Sequence, residues 1–403
     1  MFLFTPSVIC KPAMVVTSNA APIPSTTSQT TGRQPRALAG AVLAYATYID
    51  DLPKLTHAIE RIAHKHASLQ VTPAQYDIVG KYLMLAIGQV LGAAATAEIV
   101  DAWTAAYGFL ASVFIGREAD LYKNQAADGW LGWRKFRIAK KVAESGNITS
   151  FYLAPSDGVV PLPTFLPGQY VSLQLAVPSL GYLQSRQYSL SAAPRQKGET
   201  YRISVKRDEG VPPLGIKGII SNMLHADFNE GDEVELSHPQ GEFVLDPADK
   251  SKEGAPVVLI SAGVGATALM SILESLVPSQ EVAAPVKRPV SWIHASFSSE
   301  VKPFGEAVRK IAEENENVSA NVFLETLREE DKLGVDYQFA ESKLDLAKLD
   351  HEKELHVGDS RSEYYLCGSE AFMVEMRRTL VALGVEKERV YLELFATGDV
   401  GDE

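Results

Sequence analysis

The spacing of apolar residues changes twice along this chain, so one uniform architecture cannot account for it. Up to about residue 123 the apolar side chains recur at helical spacing, as Leu55, Ile59 and Ile62 do. Segments such as QYVSLQLAV and YRISVKR then alternate apolar with polar residues between turns rich in Gly, Pro and Asp. From about residue 252 onward, strand-like and helix-like segments follow one another in turn. We therefore expect three successive structural units.

These patterns predict a multidomain fold. Residues 34–128 should form an all-α unit, residues 129–250 an antiparallel β-barrel, and residues 251–403 a doubly wound α/β unit. The length agrees, because 403 residues exceed what one hydrophobic core normally serves. Residues 1–33 are rich in Pro, Ser and Thr without helical spacing, so we expect a disordered or atypical tail. Whether this tail is native sequence or an artefact of the gene model stays open.

Charge and cysteine content exclude several classes of function. A net charge of -12 opposes binding to nucleic acid or to anionic membranes. We see no apolar run near the length of a bilayer span, so we expect no stable membrane insertion. The two cysteines, Cys10 and Cys367, suit a reducing compartment and are too few for a disulfide scaffold. We expect a monomer in the cytoplasm, with the mitochondrion as the alternative location.

The most specific motif in the chain is SRQYSLSAAP, residues 185–194. On a predicted barrel strand, Arg186 suits a pyrophosphate, Tyr188 suits an isoalloxazine ring, and Ser189 suits a ring nitrogen. Alone, such a motif is more often an ordinary strand. It is followed by KGIISNML, in which Gly218 and Ser221 would open a helix whose amides can face a phosphate. Together the two stretches favour a flavin site.

A second candidate site lies in VVLISAGVGATALMSIL, which predicts a strand, a glycine loop and a helix. Gly263-Val264-Gly265 is a weak signal by itself, since glycine turns often join strand to helix without a ligand. YLCGSEAFM ends a further predicted strand at Cys367 and Gly368. Ligands of α/β sheets usually bind at this edge. By themselves these stretches leave both a ligand-free turn and a ligand site open.

Residues 149 to 403 resemble the ferredoxin–NADP reductase family, in which a barrel binds FAD and an α/β domain binds NAD(P)H. The resemblance implies an FAD site formed by Tyr170, Arg186, Gln187, Tyr188, Ser189, Gly218, Ser221, Leu394, Phe395, Ala396 and Thr397. It implies a nicotinamide nucleotide site formed by Gly263, Val264, Gly265, Ala266, Thr267, Ala268 and Cys367. Ala268 and Ser369 stand where the family usually has proline, so we expect somewhat less stiff loops.

Ahead of the barrel, KHASLQVTPAQYDIVGKYL and DAWTAAYGFLASVFIGREADLY resemble the microbial flavohemoglobins, in which a haem-b globin is fused to such a reductase. Two histidines compete for the iron, and residues two apart on a helix point about 200° apart, so only one can reach it. The resemblance selects His66 over His64, which would then be a surface or core-edge histidine. It pairs His66 with Tyr76 and Glu118, whose carboxylate would strengthen the imidazole as a donor.

The same resemblance assigns four further positions. Lys65 and Glu393 match charged positions that tune the haem and flavin potentials, and Gln34 and Leu38 match the distal haem pocket. The family's first globin helices, with a distal tyrosine, have no counterpart here, because no tyrosine precedes Tyr45. We therefore expect a truncated globin-like unit.

The resemblance implies a nitric oxide dioxygenase that uses NADH or NADPH, FAD and haem b to convert NO and O2 to nitrate. One alternative is a soluble FAD-dependent NAD(P)H:acceptor oxidoreductase with a vestigial, haem-free helical domain. Another is a globin-like gas sensor, which would have no need for flavin and nucleotide sites. The sequence does not distinguish NADH from NADPH, since no arginine pair near HASFSSEVKP reads a 2′-phosphate.

Overall fold

A computed structural model describes residues 33–195, 197–210, 215, 217–278 and 285–395. Most of the expected tail therefore lies outside the described residues. The described chain begins with four helices: α1 (Arg33–Thr47), α2 (Thr56–Ser68), α3 (Pro73–Leu91) and α4 (Ala97–Ala127). α3 begins where the sequence predicts, with Pro73 in its first turn and the Thr72 amide donating to Gln75 Oε1 at 2.7 Å. α2, α3 and α4 share a small apolar core that includes Ala63, Tyr76 and Phe114.

The antiparallel sheet predicted for the middle of the chain is confirmed. Its strands are β1 (Arg134–Ala143), β2 (Ile148–Pro155), β3 (Tyr170–Val177), β4 (Tyr182–Ser189), β5 (Tyr201–Lys206) and β6 (Glu233–Leu236). They follow the order β4-β3-β6-β1-β2-β5, and a bridge between Leu190 and Ile203 brings the two edges together into a barrel. A short helix, α5 (Ile219–Ala226), follows β5. Alternate side chains such as Phe136 and Ile138 fill the interior.

The last part of the described chain forms the expected doubly wound α/β unit. Its elements are β7 (Val257–Ala262), α6 (Ala266–Ser275), β8 (Val290–Ser296), α7 (Gly305–Glu314), β9 (Val318–Leu324), β10 (Phe339–Ala340), β11 (Glu363–Cys367), α8 (Glu370–Ala382) and β12 (Val390–Glu393). All neighbours pair in parallel, in the order β10-β9-β8-β7-β11-β12. The strand order reverses between β7 and β11, and the carboxyl ends of strands at such a point form a ligand crevice.

The expectation that no apolar segment reaches the length of a bilayer span needs correction. Pro73–Ala94 and Ala97–Ala127 are long and apolar enough by length and composition, with mean hydropathies of 1.3 and 1.4 over their most apolar windows. Neither segment is an unbroken apolar run, because scattered polar side chains interrupt both. The inner faces of both helices pack on their neighbours, although only 22% and 11% of these apolar segments are buried.

Candidate active site

Three helices bring together the predicted group around His66. His66 lies in the last turn of α2, Tyr76 in the first turns of α3, and Glu118 in α4. His66 Nδ1 lies 2.8 Å from the Tyr76 hydroxyl and 2.8 Å from Glu118 Oε1, while the Tyr76 hydroxyl donates to the same carboxylate oxygen. Burial, followed by the hydrogen bond to Glu118, raises the pKa of Tyr76 above its ordinary value. The phenol therefore stays protonated and acts as a donor.

The chemistry of this group fits a histidine that binds haem iron. Glu118 is 2% exposed, so its Oε1 depends on the hydrogen bonds from Tyr76 and His66. A carboxylate on Nδ1 holds the proton there and leaves Nε2 as the ring nitrogen that can bind a metal. Among the described residues, no three His, Cys, Asp or Glu side chains form a cluster that could hold a metal ion. A single histidine with Nε2 available is the kind of protein ligand that haem iron takes.

Two neighbours of this group, Tyr107 and Phe114, were not predicted from the sequence. The Tyr107 hydroxyl donates to the Tyr76 carbonyl at 2.7 Å, and the Phe114 ring lies 5.9 Å from the His66 ring, between centroids. Both lie on α4, on the face that also carries Glu118. The sequence could have placed them there, because Phe114 and Tyr107 precede Glu118 by four and eleven positions and so share its helix face. Their contacts with His66 of α2 and Tyr76 of α3 could not be predicted from the sequence.

His64 is partly buried at the edge of the helical unit, where that unit meets the barrel. Its Nδ1 lies 2.9 Å from Gln240 Oε1 and 3.2 Å from the Gly241 amide nitrogen. Both partners belong to the segment that follows barrel strand β6. His64 thus connects the helix of the candidate iron ligand to the barrel. This contact was not predicted from the sequence, because Gln240 lies 176 residues away.

The predicted flavin residues on β3 and β4 lie side by side. Tyr170 pairs in register with Ser189, and Leu173 pairs with Arg186. Burial lowers the pKa of Arg186, and it raises the pKa of Tyr188, which stays protonated. The buried Tyr170 hydroxyl has no partner in hydrogen-bonding geometry among the described residues. A strand that gathers a half-buried guanidinium, an aromatic ring and an unsatisfied hydroxyl fits a flavin nucleotide.

Gly218 and Ser221 open α5 as predicted, but the polar groups there bond mainly within the protein. The Ser221 hydroxyl donates to the Gly218 carbonyl at 3.3 Å and accepts from the Asp208 amide at 3.3 Å. Gly218 admits no side chain, because a Cβ there would lie 2.8 Å from Asp208 Cβ. The predicted helix start is present, with Asp208 beside it, and its role in binding a phosphate stays a prediction.

The two predicted halves of the nucleotide site meet at the reversal of the parallel sheet. Gly263 has a φ of +54°, and a Cβ on Gly265 would lie 2.1 Å from the Cys367 carbonyl oxygen. Glycine is therefore required at the two positions for different reasons: Gly263 adopts a left-handed conformation, and Gly265 lies too close to β11 for a side chain. The Thr267 hydroxyl donates to the Val264 carbonyl at 2.9 Å and closes the first turn of α6. Ala266 and Ala268, also predicted to belong to the nucleotide site, are buried in that helix.

Cys367 lies beside Glu393, close to charges from the helical unit. Burial raises the pKa of the Cys367 thiol well above its ordinary value, and the Glu393 carboxylate adds to that effect. Burial, followed by repulsion from Glu242, raises the pKa of Glu393 to about 8, whereas Lys65 and Arg61 of α2 oppose the rise. The predicted pair Lys65 and Glu393 therefore lies within electrostatic range across the two units.

The remaining predicted positions are less centrally placed. Leu38 packs beside an apolar cluster of Val42, Leu83 and Ile87, within the helical unit. Gln34 lies in α1, but its side chain is outside the described residues. Leu394 packs against the core of the parallel sheet, and Phe395 is 45% exposed. Ala396 and Thr397 lie outside the described residues.

Comparison with known proteins extends across both halves of the molecule. Residues 25–114 match the globin family model. The flavohemoprotein of Bordetella pertussis is 46% identical over 374 residues, which are 92% of this chain and 88% of that protein. The chain belongs to the flavohemoprotein family. The flavohemoprotein of Bacillus subtilis is 42% identical over 371 residues.

Solved structures support the same membership in the flavohemoprotein family. The flavohemoglobin of Malassezia yamatoensis, crystallised with bound FAD and haem, superposes with a TM-score of 0.79 at 28% identity. The alignment covers 97% of this chain and 94% of that one. The FAD/NAD-binding domain of a Vibrio cholerae nitric oxide dioxygenase is 32% identical, with a TM-score of 0.52 and coverage of 64% of this chain. The helical unit and the reductase unit are thus both those of a flavohemoprotein.

Proposed function

We propose that this protein is an NAD(P)H-dependent nitric oxide dioxygenase that converts NO and O2 to nitrate and serves NO detoxification. The observation that carries the proposal is the hydrogen-bonded group of His66, Tyr76 and Glu118. It lies on a globin-like unit in the same chain as a reductase unit. A reductase alone would have no use for a histidine whose Nδ1 is held by a buried carboxylate.

When bound, the cofactors supply the redox chemistry, since flavin converts a hydride into single electrons and haem iron binds O2. His66 would ligate the iron through Nε2. Glu118 keeps the Nδ1 proton in place and makes the imidazole a stronger donor, and Tyr76 orients that carboxylate. Lys65 and Glu393 would tune the reduction potentials of the haem and the flavin.

The barrel and the parallel sheet would hold the other two cofactors. We assign FAD to Tyr170, Arg186, Gln187, Tyr188, Ser189, Gly218 and Ser221. We assign the nicotinamide nucleotide to the loop and helix start from Gly263 to Ala268, with Cys367 beside its reacting end. The close approach of Gly265 to Cys367 supports this, because it brings the phosphate-binding loop and the strand-end thiol to one crevice.

The test combines a His66→Ala variant with a His57→Ala control, since His57 is exposed on the same helix. We expect the reconstituted wild type and the control to show a Soret band and to consume NO with NADH or NADPH. His66→Ala should lose the Soret band and NO consumption but retain NAD(P)H-driven bleaching of the flavin. A wild type that bleaches flavin without binding haem would overturn the proposal and favour the haem-free reductase.

We further propose that the protein acts as a monomer in the cytoplasm. Its acidic charge opposes association with anionic membranes, and its two cysteines suit a reducing compartment. Sedimentation of the purified holoprotein tests the first statement, and fractionation of the native host cells tests the second. A stable dimer, or recovery in the membrane fraction, would contradict them.

A further inference from the structure

Two side chains of α2, one on each side of His66, contact the barrel. His64 meets Gln240 and Gly241 in the segment after β6. The Ser68 hydroxyl accepts a hydrogen bond from the side-chain Nε2 of Gln187 on β4 at 3.0 Å. It accepts another from the Ser172 hydroxyl of β3 at 3.0 Å. α2 is therefore attached to the barrel at two points, four residues apart.

The two contacts lie on one face of α2, and His66 points away from it. Residues four apart on a helix are neighbours, whereas a residue midway between them points to the opposite side. His66 accordingly reaches Tyr76 and Glu118, while Ser68 is fully buried against the barrel. A single helix thus holds the candidate iron ligand on one face and the predicted flavin strand on the other.

The His64 contact continues directly to Tyr170. Gln240 and Tyr170 exchange two backbone hydrogen bonds of 2.8 Å. A Cβ built on Gly241 would lie 3.1 Å from the Tyr170 ring, so the segment packs closely on that residue. A displacement of His64 would therefore be transmitted to a predicted flavin-binding side chain.

The other side of His64 is braced within the helical unit. Its Nε2 faces Glu60 at 3.9 Å, and the Arg117 guanidinium of α4 binds both Glu60 oxygens, at 2.7 and 3.0 Å. The His64 side chain is 12% exposed, which leaves it little freedom to adopt other rotamers. The imidazole thus lies between the Glu60–Arg117 ion pair on one side and the barrel on the other.

We propose that His64, assisted by Ser68, is a positioning residue that sets the separation and orientation of the haem relative to the flavin. It thereby sets the rate at which electrons pass from flavin to haem iron. This inference rests on the proposed function. His64 touches neither cofactor in this assignment, and it acts through Gln240, Gly241 and Tyr170.

The experiment uses the full chain loaded with haem and FAD, and it measures two steps separately. Anaerobic stopped-flow absorbance follows flavin reduction by NADH, and the CO-bound Soret band follows haem reduction. The fluorescence of the flavin, which nearby haem quenches, reports the separation of the cofactors without turnover. The variants are His64→Ala, His64→Asn and Gln240→Ala, with His57→Ala as the matched control on the same helix.

We expect His64→Ala and Gln240→Ala to slow haem reduction about tenfold, through loss of the hydrogen bonds that hold the docked arrangement. Flavin reduction by NADH should stay within about twofold of wild type, and flavin fluorescence should rise. His64→Asn should restore most of the rate, because the asparagine side-chain amide lies close to the position of the histidine Nδ1 and its Nδ2 can donate to Gln240 Oε1. His57→Ala should match wild type.

Unchanged haem reduction in both His64→Ala and Gln240→Ala would overturn the inference. Equal slowing of flavin and haem reduction would also overturn it, because a general loss of structure affects both steps. If His64→Ala fails to bind haem, Gln240→Ala decides the question from the barrel side. Failure of the proposed function looks different, since the wild type itself would then pass no electrons from flavin to haem.

Discussion

At the scale of single residues, the candidate chemistry depends on a carboxylate that lies far along the chain from the histidine it holds. Glu118 and His66 are 52 positions apart, yet their oxygen and nitrogen are 2.8 Å apart. Both Tyr76 and His66 bond to one buried carboxylate oxygen. The charge of that carboxylate, rather than its shape, should therefore control the donor strength of the imidazole.

Replacement of Glu118 by glutamine keeps the shape and removes the charge. We expect NO consumption to fall about 10- to 100-fold, the usual effect of losing a carboxylate that supports a metal-binding histidine. The haem reduction potential should rise, because a weaker imidazole donor stabilises ferric iron less. Spectroelectrochemistry and NO-electrode assays measure the two effects. Glu98→Gln, at an exposed position of the same helix, is the control, and equal activities would contradict the assignment.

Glu393 should make stability depend on pH. Its pKa is raised from 4.5 to about 8, mainly by burial, so the folded state holds a proton that the unfolded state releases. The free energy of unfolding should therefore decrease as the pH rises from about 4.5 to about 8. Urea unfolding across this range should show a smaller decrease for Glu393→Gln than for wild type. The same pH dependence in both proteins would contradict the prediction.

At the scale of elements, α3 and α4 approach closely through one glycine. A Cβ on Gly80 would lie 2.5 Å from the Tyr107 ring, whose hydroxyl is held by the Tyr76 carbonyl. Because that hydrogen bond keeps the ring in place, an added methyl group would have to displace a helix. The packing of these two helices therefore also positions Tyr76.

Gly80→Ala should destabilise the helical unit by about 1–3 kcal/mol, the usual cost of overpacking. Gly88 is the matched control, because it lies two turns later on α3 and a Cβ there meets nothing within 4 Å. Gly88→Ala should stabilise by about 0.5–1 kcal/mol through helix propensity. Urea unfolding followed by far-ultraviolet circular dichroism measures both. Equal effects of the two changes would rule out the close contact.

At the scale of the whole molecule, an ion pair joins the barrel to the parallel-sheet unit. Arg202 of β5 donates to Glu274 of α6 at 2.9 Å, and the other Glu274 oxygen accepts from the Ala193 amide at 2.9 Å. Next to it, the Ser271 hydroxyl donates to the Ala192 carbonyl at 2.9 Å. The segment that follows the predicted flavin strand is thus bound to the helix that follows the predicted nucleotide loop.

Removal of Glu274 should loosen this junction. Glu274→Ala leaves Arg202, which is 11% exposed, without its carboxylate, at a cost of about 1–3 kcal/mol. We expect slower flavin reduction and a higher KM for NADH, because the two sites lose their alignment. Stopped-flow reduction and steady-state kinetics measure these effects. Glu253→Ala, an exposed change in the same unit, should leave both unchanged. If Glu274→Ala behaved like this control, the junction would have no role in alignment.

What the sequence by itself determined is local. The spacing of apolar residues defined the helical, antiparallel and α/β parts, and Thr72-Pro73 located the start of α3. The glycine loop after β7 was likewise visible. Such features depend on residues within a few positions of each other, so neighbours along the chain suffice to predict them.

What only the tertiary structure decided are the contacts between distant residues. The sequence alone did not show that His64 reaches Gln240, or that Gly265 meets the Cys367 carbonyl. It also did not reveal the proton-binding environment of Glu393, which depends on α2 and on Glu242. Hydrogen bonds, close approaches and pKa shifts act over a few ångströms in space, and only folding decides which distant residues come that close.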